Sequence, residues 1–335
     1  MKRAEDSFKT LRDWERYANQ PFRPVDYGKI DDFTEIVDDR LPLKPDVSIV
    51  VVTYNHEKYL EQCLQSLLCQ KTSFSYEIVL SEDCSTDGTR DICLRYQREY
   101  PDKIHLLLSN TNCGAIVNSR RARRVARSEL LCWCEGDDYW IYDHKIEDQV
   151  SFMKANEKIV FHGGSKRMVF LDESRTEKDE DVTGRGKAFL CHLSACTYRF
   201  CHLSTWCVRR SFFTEIDPVL DSIGYSRDEI LLILAEGLYG VYLVPDVYSV
   251  HIVTGSGIWS SLSYGKIQAE ILKGRLRNVG RLPVALSCFS LRLLARTYQE
   301  WIVYFYRRKD FESCFMSALK WFWYNIRCLM PSSRV

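Results

Sequence analysis

The stretch from residue 47 to residue 134 alternates short apolar runs with longer segments of helical periodicity, and this alternation limits the folds open to the chain. Its first run, 47–52, is apolar on both faces, as expected of a strand covered on both sides of a sheet. The predicted strands are 47–52, 76–80, 104–108 and 130–134, and the predicted helices are 57–69, 86–99 and 115–126. Strands and helices in this order indicate an α/β fold, with a mostly parallel, Rossmann-like sheet flanked by helices.

After residue 158 the signals are weaker and less regular. Apolar runs predict strands at 159–161, 168–171, 205–208, 241–244 and 247–252, and a helix at 230–236. From residue 269 onward the apolar spacing is helical. We therefore expect three regions: an N-terminal extension at 1–45, an α/β domain at 46–265 and a basic, aromatic helical extension at 266–335.

The charges are divided unevenly along the chain. Its 335 residues carry 46 Lys and Arg against 45 Asp and Glu, a formal net charge of +1. Residues 270–335 hold 12 basic and 4 acidic residues, an excess of +8 that leaves −7 for residues 1–269. A hydrophobic content of 46% and a charged content of 27% exclude a largely disordered chain and a multi-span membrane protein. The basic tail therefore needs an explanation of its own.

The cysteines and the first residues indicate a compartment. Fourteen cysteines, with no apolar leader at residues 1–14, do not predict the disulfide framework of a secreted chain. No apolar run reaches the roughly 18–20 residues of a spanning helix. We expect a cytoplasmic protein with reduced thiols, held at the inner face of the plasma membrane where its basic tail binds anionic lipid.

Three polar clusters follow predicted strands, at the points where those strands end. They are Thr53-Tyr54-Asn55, the segment 81–87 and Glu135-Gly136-Asp137-Asp138. In an open parallel sheet the ligand lies outside the carboxyl ends of the strands, so we expect these clusters to meet. Carboxylates gathered there suit a hard divalent cation, Mg²⁺ or Mn²⁺, that carries a diphosphate. The chain has no Gly-rich phosphate loop, so metal rather than backbone amides would hold the phosphates.

Four segments in this order and spacing resemble the family 2 glycosyltransferases, which have the GT-A fold. The segments are 47–55, Glu82-Asp83-Cys84-Ser85-Thr86-Asp87-Gly88-Thr89, Asn112-Cys113-Gly114 and 134–140. The resemblance extends over residues 47–260. It implies a GT-A fold for the α/β domain, with the basic helical region as a C-terminal extension.

The resemblance also implies a set of donor-binding residues. Those that match its nucleotide-binding positions are Thr53, Tyr54, Asn55, Glu57, Asp83, Asn112, Gly114, Glu135 and Asp137. Among them, Asp83 matches a carboxylate that accepts from the base, typically uracil. The donor is therefore expected to be a nucleotide sugar, and a UDP-sugar in particular.

The metal ligands and the catalytic base are implied in the same way. Asp137, Asp138 and His251 match the metal site, and Asp228 matches the base, with Glu229 beside it as the rival. Family members often carry Gly where this chain has Arg227 and Arg where it has Ser249, and the second difference removes a diphosphate contact. Gly255, Gly257 and the residues to 260 resemble the flexible loop that follows.

The activity that this resemblance implies is an inverting, metal-dependent transfer of a sugar from a nucleotide sugar to a hydroxyl of a glycan or lipid-linked acceptor, in assembly of a surface polysaccharide. A carboxylate base and one metal are sufficient for that chemistry. The alternatives are a nucleotide-sugar-binding protein without transfer activity and a nucleotidyltransferase on a similar sheet. No nucleic-acid partner is expected, because no known nucleic-acid-binding module is evident.

Two segments keep alternative interpretations. Cysteines and histidines at 191, 192, 196, 201, 202 and 207 offer zinc ligands, but they form no paired knuckles, and the cysteines are better explained as buried free thiols. The aromatic and basic residues of the tail suit an anionic membrane surface, and they also suit a helical hairpin that packs on the protein itself.

Overall fold

The computed structural model describes residues 9–20, 25–171, 177–184, 186–191, 201–223, 228–253, 262–278 and 284–327. It divides into two compact units. The α/β unit comprises residues 25–217 and 226–253, and the helical unit comprises residues 1–24, 218–225 and 254–335. Part of the predicted N-terminal extension, 1–45, belongs to each unit, and the predicted second boundary, at 265/266, falls within the helical unit.

One mixed sheet contains the strands of the described residues. These are β1 Phe33–Ile36, β2 Val47–Thr53, β3 Tyr76–Glu82, β4 Ile104–Ser109, β5 Leu130–Glu135, β6 Tyr139–Trp140, β7 Phe161–Phe170, β8 Glu177–Glu180, β9 Phe189–Cys191, β10 Cys207–Arg209 and β11 Val241–Val253. The order across the sheet is β1-β4-β3-β2-β5-β10-β7-β11-β6, with β8 beside β7 and β9 beside β11. The four predicted strands of the first half, β2 to β5, are parallel to one another, as expected.

The helices of the described residues flank this sheet or form the helical unit. They are α1 Leu11–Ala18, α2 Leu60–Leu68, α3 Thr89–Glu99, α4 Ala115–Val125, α5 Lys145–Ala155, α6 Arg210–Ile223, α7 Asp228–Leu238, α8 Tyr264–Asn278, α9 Val284–Arg307 and α10 Phe311–Arg327, with short 3₁₀ turns at Tyr27–Lys29 and Leu203–Thr205. In α2 the residues Leu60, Cys63, Leu64 and Leu67 are fully buried, and their spacing places them on one face against the sheet.

The second half of the sheet departs from the sequence prediction. The two strands predicted at 159–161 and 168–171 are replaced by the single strand β7, Phe161–Phe170, whose Gly163 and Gly164 look like a break in the sequence. A Cβ atom at Gly164 would lie 2.3 Å from the Tyr248 ring, and one at Gly163 would lie 2.7 Å from Cys201 Sγ. Both positions require glycine because neighbouring side chains approach the backbone closely. Likewise β11 is one strand, and a register shift after Leu243 absorbs its irregularity.

Part of the N-terminal extension completes the α/β unit. Strand β1 pairs antiparallel with β4 and covers that edge of the sheet. The buried Arg121 guanidinium of α4 holds the segment before β1, because its Nε donates to Ile30 O at 2.9 Å and its Nη2 donates to Lys29 O at 2.6 Å. Sequence reasoning missed this strand because it is short and only half-buried.

The helical unit has its own core, which joins the start of the chain to its end. Trp14 of α1 is fully buried and packs edge-to-face on Trp301 of α9, with ring centroids 4.7 Å apart. The hydroxyl of Tyr298 donates to Glu15 at 2.9 Å. The aromatic tail is thus partly explained by packing within this unit. Among the described helices, none is both long and apolar enough to cross a bilayer.

Candidate functional site

The three predicted polar clusters lie side by side at the carboxyl ends of parallel strands. Thr53, the last residue of β2, is in register with Glu82 of β3, and Val52 is in register with Glu135 of β5. Backbone hydrogen bonds continue past the strand ends: Asp83 N donates to Thr53 O, and Gly136 N donates to Val52 O, both at 3.0 Å. The clusters therefore form one continuous rim.

Hydrogen bonds join the loop after β2 to the loop after β3. Asn55 adopts a positive φ of 56°, and its Oδ1 accepts from Thr86 N at 2.9 Å. Glu57 Oε2 accepts from Gly88 N at 3.2 Å. The ring of Tyr54 is 42% exposed beside these bonds. Asn55 and Glu57 therefore shape the rim, and Tyr54 is left as a surface on which a planar base could lie.

Asp83 organises the loop that contains two other predicted residues. Its buried carboxylate accepts from Cys113 N at 2.9 Å and from Gly114 N at 2.8 Å, and Asn112 Nδ2 donates to the Asp83 carbonyl at 3.1 Å. Gly114 has a φ of 83°, which favours glycine. A carboxylate has about four acceptor positions, so Asp83 keeps capacity for a further donor.

The turn after β5 is tightly fitted around Gly136. A Cβ atom there would lie 2.7 Å from Thr53 Oγ1 and 2.8 Å from His56 Nδ1. The next residue, Asp137, faces His56, with Oδ2 and Nε2 3.7 Å apart. Asp137 thus points along the first loop, whereas Asp138 points to the other side of the turn.

Asp138 is the centre of a buried cluster that contains two histidines. Its carboxylate accepts from Ser204 Oγ at 2.6 Å and from the Ile252 amide at 3.3 Å, and His251 Nδ1 lies 3.2 Å from it. His202 Nδ1 is 3.4 Å away on a second side. The potential ligand atoms of Asp138, His202 and His251 all lie within 4.8 Å of one another.

These three side chains fit a divalent cation. One carboxylate oxygen and two imidazole nitrogens form a mixed donor set, which suits Mn²⁺ better than Mg²⁺, because Mg²⁺ prefers oxygen ligands. Of the predicted metal ligands, Asp138 and His251 belong to this cluster. Asp137, in contrast, is not part of it and lies beside His56.

The acidic residues of the rim shift one another's pKa values. Glu135 keeps about a third of its side chain exposed, yet desolvation and the charges of Asp138, Asp137 and Asp228 raise its pKa. Burial also raises the pKa of Asp137. For Asp138 burial acts in the same direction, but His202 and His251 outweigh it and hold the pKa of this carboxyl below its ordinary value. The rim therefore has an excess of negative charge that a cation would relieve.

The predicted base and its rival begin the helix α7. Asp228 and Glu229 are the first residues of α7, and both are partly buried. The charge of Asp228 contributes to the raised pKa of Glu135, after those of Asp138 and Asp137. Arg227 and residues 254–260, which the sequence also singled out, lie outside the described residues.

The sequence pattern selected His202 only for an alternative zinc site. It grouped this histidine with nearby cysteines as zinc ligands, but His202 contacts Asp138, and Cys207 lies opposite Cys132 in the β10–β5 ladder. In the described part of the chain, Asp138, His202 and His251 form the one group of this kind, while His192 and Cys196 lie outside that part. One sequence signal could have placed His202 at this site: its position just before β10, a strand that pairs with β5.

Comparison with known proteins identifies related chains. A model of the family described as "Glycosyl transferase family 2" matches residues 48–216, about half of the chain. The uncharacterized protein Rv1520 of Mycobacterium tuberculosis is 36% identical over 141 residues, which cover 42% of this chain and 40% of that protein. The putative teichuronic acid biosynthesis glycosyltransferase TuaG of Bacillus subtilis is 36% identical over 110 residues, covering 33% and 42% of the two chains. The chain thus spans about two fifths of the length of these relatives.

A solved structure shares the fold. The Staphylococcus aureus protein TarS, residues 1–349, in complex with UDP-GlcNAc, superposes with a TM-score of 0.50 at 21% identity, over 75% of this chain and 66% of that one. At this identity the likeness concerns the fold alone. It confirms the predicted GT-A arrangement, a mostly parallel sheet flanked by helices and followed by C-terminal helices.

Proposed function

The chain belongs to glycosyl transferase family 2, and from that premise we propose that it is an inverting, metal-dependent glycosyltransferase. It moves a sugar from a nucleotide sugar, a UDP-sugar in particular, to a hydroxyl of a glycan or lipid-linked acceptor in surface polysaccharide biosynthesis. The observation that carries this proposal is the Asp138–His202–His251 cluster with the carboxylate of Glu135 beside it.

Asp138, His202 and His251 would hold the cation. Mn²⁺ or Mg²⁺ bound there would act as a Lewis acid that neutralises charge on the departing nucleoside diphosphate. Ser204 and the Ile252 amide orient the Asp138 carboxylate through their hydrogen bonds. Because hydrogen bonds to a metal-binding side chain fix its direction, these two bonds would keep the Asp138 carboxylate turned towards the cation.

Asp228 would act as the general base. Inversion requires the acceptor oxygen to attack the anomeric carbon on the face opposite the diphosphate, while a carboxylate removes the hydroxyl proton. Asp228 begins α7, and its charge contributes to the raised pKa of Glu135. Glu229 is adjacent in sequence and is the alternative base.

The first two loops would bind the nucleoside. The exposed Tyr54 ring offers a stacking surface for the base, and Asp83 offers acceptor capacity. Thr53, Asn55, Glu57, Asn112, Gly114, Glu135 and Asp137 complete the proposed donor site. The names of relatives support the wider assignment, since TuaG is named for teichuronic acid biosynthesis and TarS is described with UDP-GlcNAc.

The helical unit would hold the enzyme at an anionic membrane surface. One face of α10 presents an exposed apolar stripe at helical spacing, with Phe311 and Phe315 each 63% exposed and Phe322 59% exposed; Leu319 and Ile326 continue it. The end of α9 and the turn after it add the exposed cations Arg307, Arg308 and Lys309. An apolar stripe with cations beside it is complementary to anionic lipid rather than to water.

A panel of nucleotide sugars tests the proposed activity. We expect Mn²⁺-dependent release of nucleoside diphosphate from one UDP-sugar, with inverted anomeric configuration in the product, and loss of transfer in Asp228→Asn. Wild-type protein that binds UDP with Mn²⁺ but neither transfers nor hydrolyses any donor would favour the binding protein. Formation of a nucleotide sugar from a sugar phosphate and UTP would favour the nucleotidyltransferase.

A further inference from the structure

A lysine on a neighbouring strand lies close to the acidic rim. Lys166 lies in β7, which pairs with β11, the strand that contains His251. Its positive charge opposes the rise in the pKa of Glu135 that burial and the neighbouring carboxylates cause. Sequence reasoning did not select this residue, because no motif contains it.

Strand register places Lys166 on the same face of the sheet as the cluster. Lys166 is opposite Ser249 of β11, and Met168 is opposite His251. Side chains two residues apart share a face of a strand, so Lys166 and His251 point to the same side. His251 contacts Asp138, and this is the side on which the cation would lie.

Position 249 cannot supply a positive charge. The Ser249 side chain is fully buried, and its hydroxyl has no hydrogen-bond partner among the described residues. The resemblance to the family places an arginine that contacts the diphosphate at this position. Lys166 is the direct cross-strand neighbour of position 249, so the adjacent strand supplies a positively charged side chain there.

The surroundings of Lys166 suit an anion. Its side chain is 13% exposed, and its Nζ lies 3.6 Å from Glu180 Oε2 of β8. That separation exceeds a hydrogen bond, and the Glu180 side chain is itself 41% exposed. A largely buried ammonium is stabilised by short, charge-assisted hydrogen bonds, which phosphate oxygens provide.

We propose that Lys166 binds the diphosphate of the nucleotide sugar and takes the place of the missing arginine at position 249. This inference rests on the proposed function. The acceptor oxygen forms a bond to the anomeric carbon while the bond from that carbon to the diphosphate oxygen breaks; the electron pair of the broken bond goes to the diphosphate oxygen, and the acceptor proton goes to the Asp228 carboxylate. The Lys166 ammonium donates to the oxygens on which the negative charge grows, so it contributes to donor binding and to departure of the diphosphate.

Binding of uridine, UMP and UDP in the presence of Mn²⁺ tests this role by calorimetry. In Lys166→Met the affinity for UDP should fall about 10- to 100-fold, whereas the affinity for uridine should stay within about 2-fold. Lys166→Arg should keep most of the UDP affinity, because it keeps the charge. Lys178→Met is the matched control, since Lys178 is an exposed lysine on β8 opposite Met168.

The Glu180→Gln variant separates this role from a purely structural ion pair. If Lys166 serves only to pair with Glu180, Glu180→Gln should weaken UDP binding as much as Lys166→Met does, and the inference is then overturned. Equal losses for uridine and UDP in Lys166→Met would also overturn it. Wild-type protein that binds no UDP, GDP or dTDP with Mn²⁺ would remove the proposed function and this inference together.

Discussion

Asp138 and His251 are 113 positions apart in sequence, yet an Asp138 carboxylate oxygen lies 3.2 Å from His251 Nδ1. The contact forms because β11 pairs with β7 on one side and with β6 on the other. The pairing with β6 brings His251 next to the turn after β5, which contains Asp138. His202 reaches the same carboxylate from the segment before β10. Three segments that are separate in sequence therefore supply the candidate metal ligands.

Removal of one ligand should abolish metal binding at this cluster. In Asp138→Ala and His202→Gln, the affinity for Mn²⁺ should fall at least about 100-fold, since loss even of an outer contact commonly costs 10- to 100-fold. Electron paramagnetic resonance of free Mn²⁺ measures this directly. Asp143→Asn is the control, because Asp143 is a half-exposed carboxylate that pairs with Lys71. Unchanged Mn²⁺ affinity in both variants, with melting temperatures like the wild type, would remove the cluster as the metal site.

Loss of the base should slow transfer without loss of the donor. In Asp228→Asn the rate of sugar transfer should fall about 10²- to 10⁴-fold, because the acceptor proton has no carboxylate to receive it. The affinity for UDP with Mn²⁺ should change little. Steady-state kinetics and calorimetry together measure the two quantities. Glu229→Gln is the matched variant at the next position, and if it alone stops transfer, Glu229 is the base.

The exposed stripe of α10 should determine binding to lipid. The double variant Phe315→Ser and Phe322→Ser should reduce sedimentation with vesicles that contain phosphatidylglycerol by about 10-fold or more, since it removes two large apolar contacts. Leu43→Ser, which changes an exposed apolar residue of the α/β unit, should have no effect. Retention of binding by the double variant, or equal binding to purely zwitterionic vesicles, would contradict the membrane role. Self-association that the double variant abolishes, without any lipid binding, would show that this face contacts a second copy instead.

Buried Glu77 should make stability depend on pH. Burial disfavours its charge, but hydrogen bonds from Ser48 Oγ at 2.6 Å and Arg127 N at 2.7 Å, with His105 nearby, lower the pKa of Glu77 below its ordinary value. A lowered pKa in the folded state means that its stabilisation is present above the unfolded pKa of about 4.5 and is lost as pH falls through the folded value.

Glu77→Gln tests that dependence. At pH 7 it should lower the free energy of unfolding in urea by about 1–3 kcal/mol, and the difference from wild type should shrink below about pH 4. Glu61→Gln, at an exposed carboxylate paired with Arg95, should cost about 0.5 kcal/mol or less. A difference for Glu77→Gln that is as large at about pH 3 as at pH 7 would contradict the assignment.

Much of the first half of the fold was predictable from local pattern. Strands β2 to β5 and the helices between them lie within a few residues of the predicted positions, and the polar clusters after β2, β3 and β5 meet as expected. Buried parallel strands carry uniform apolar runs, and helices show a regular period, so each can be recognised from a short window. Asp138 and His251 were selected through resemblance to a family, and the structure brings them together.

The second half was not predictable in this way. Strand β7 contains two glycines, which are required because neighbouring side chains approach the backbone closely. Strand β1 and helix α1 lie in a segment with mixed charges and little periodicity. His202 and Lys166 belong to no motif, and their positions depend on antiparallel and parallel pairings between distant strands. The amino-acid sequence alone determined the α/β class, the rim of carboxylates and the division of charge between body and tail. Only the tertiary structure decided which histidine joins Asp138 and which lysine faces the rim, because those neighbours are set by strand pairing across long stretches of chain rather than by local periodicity.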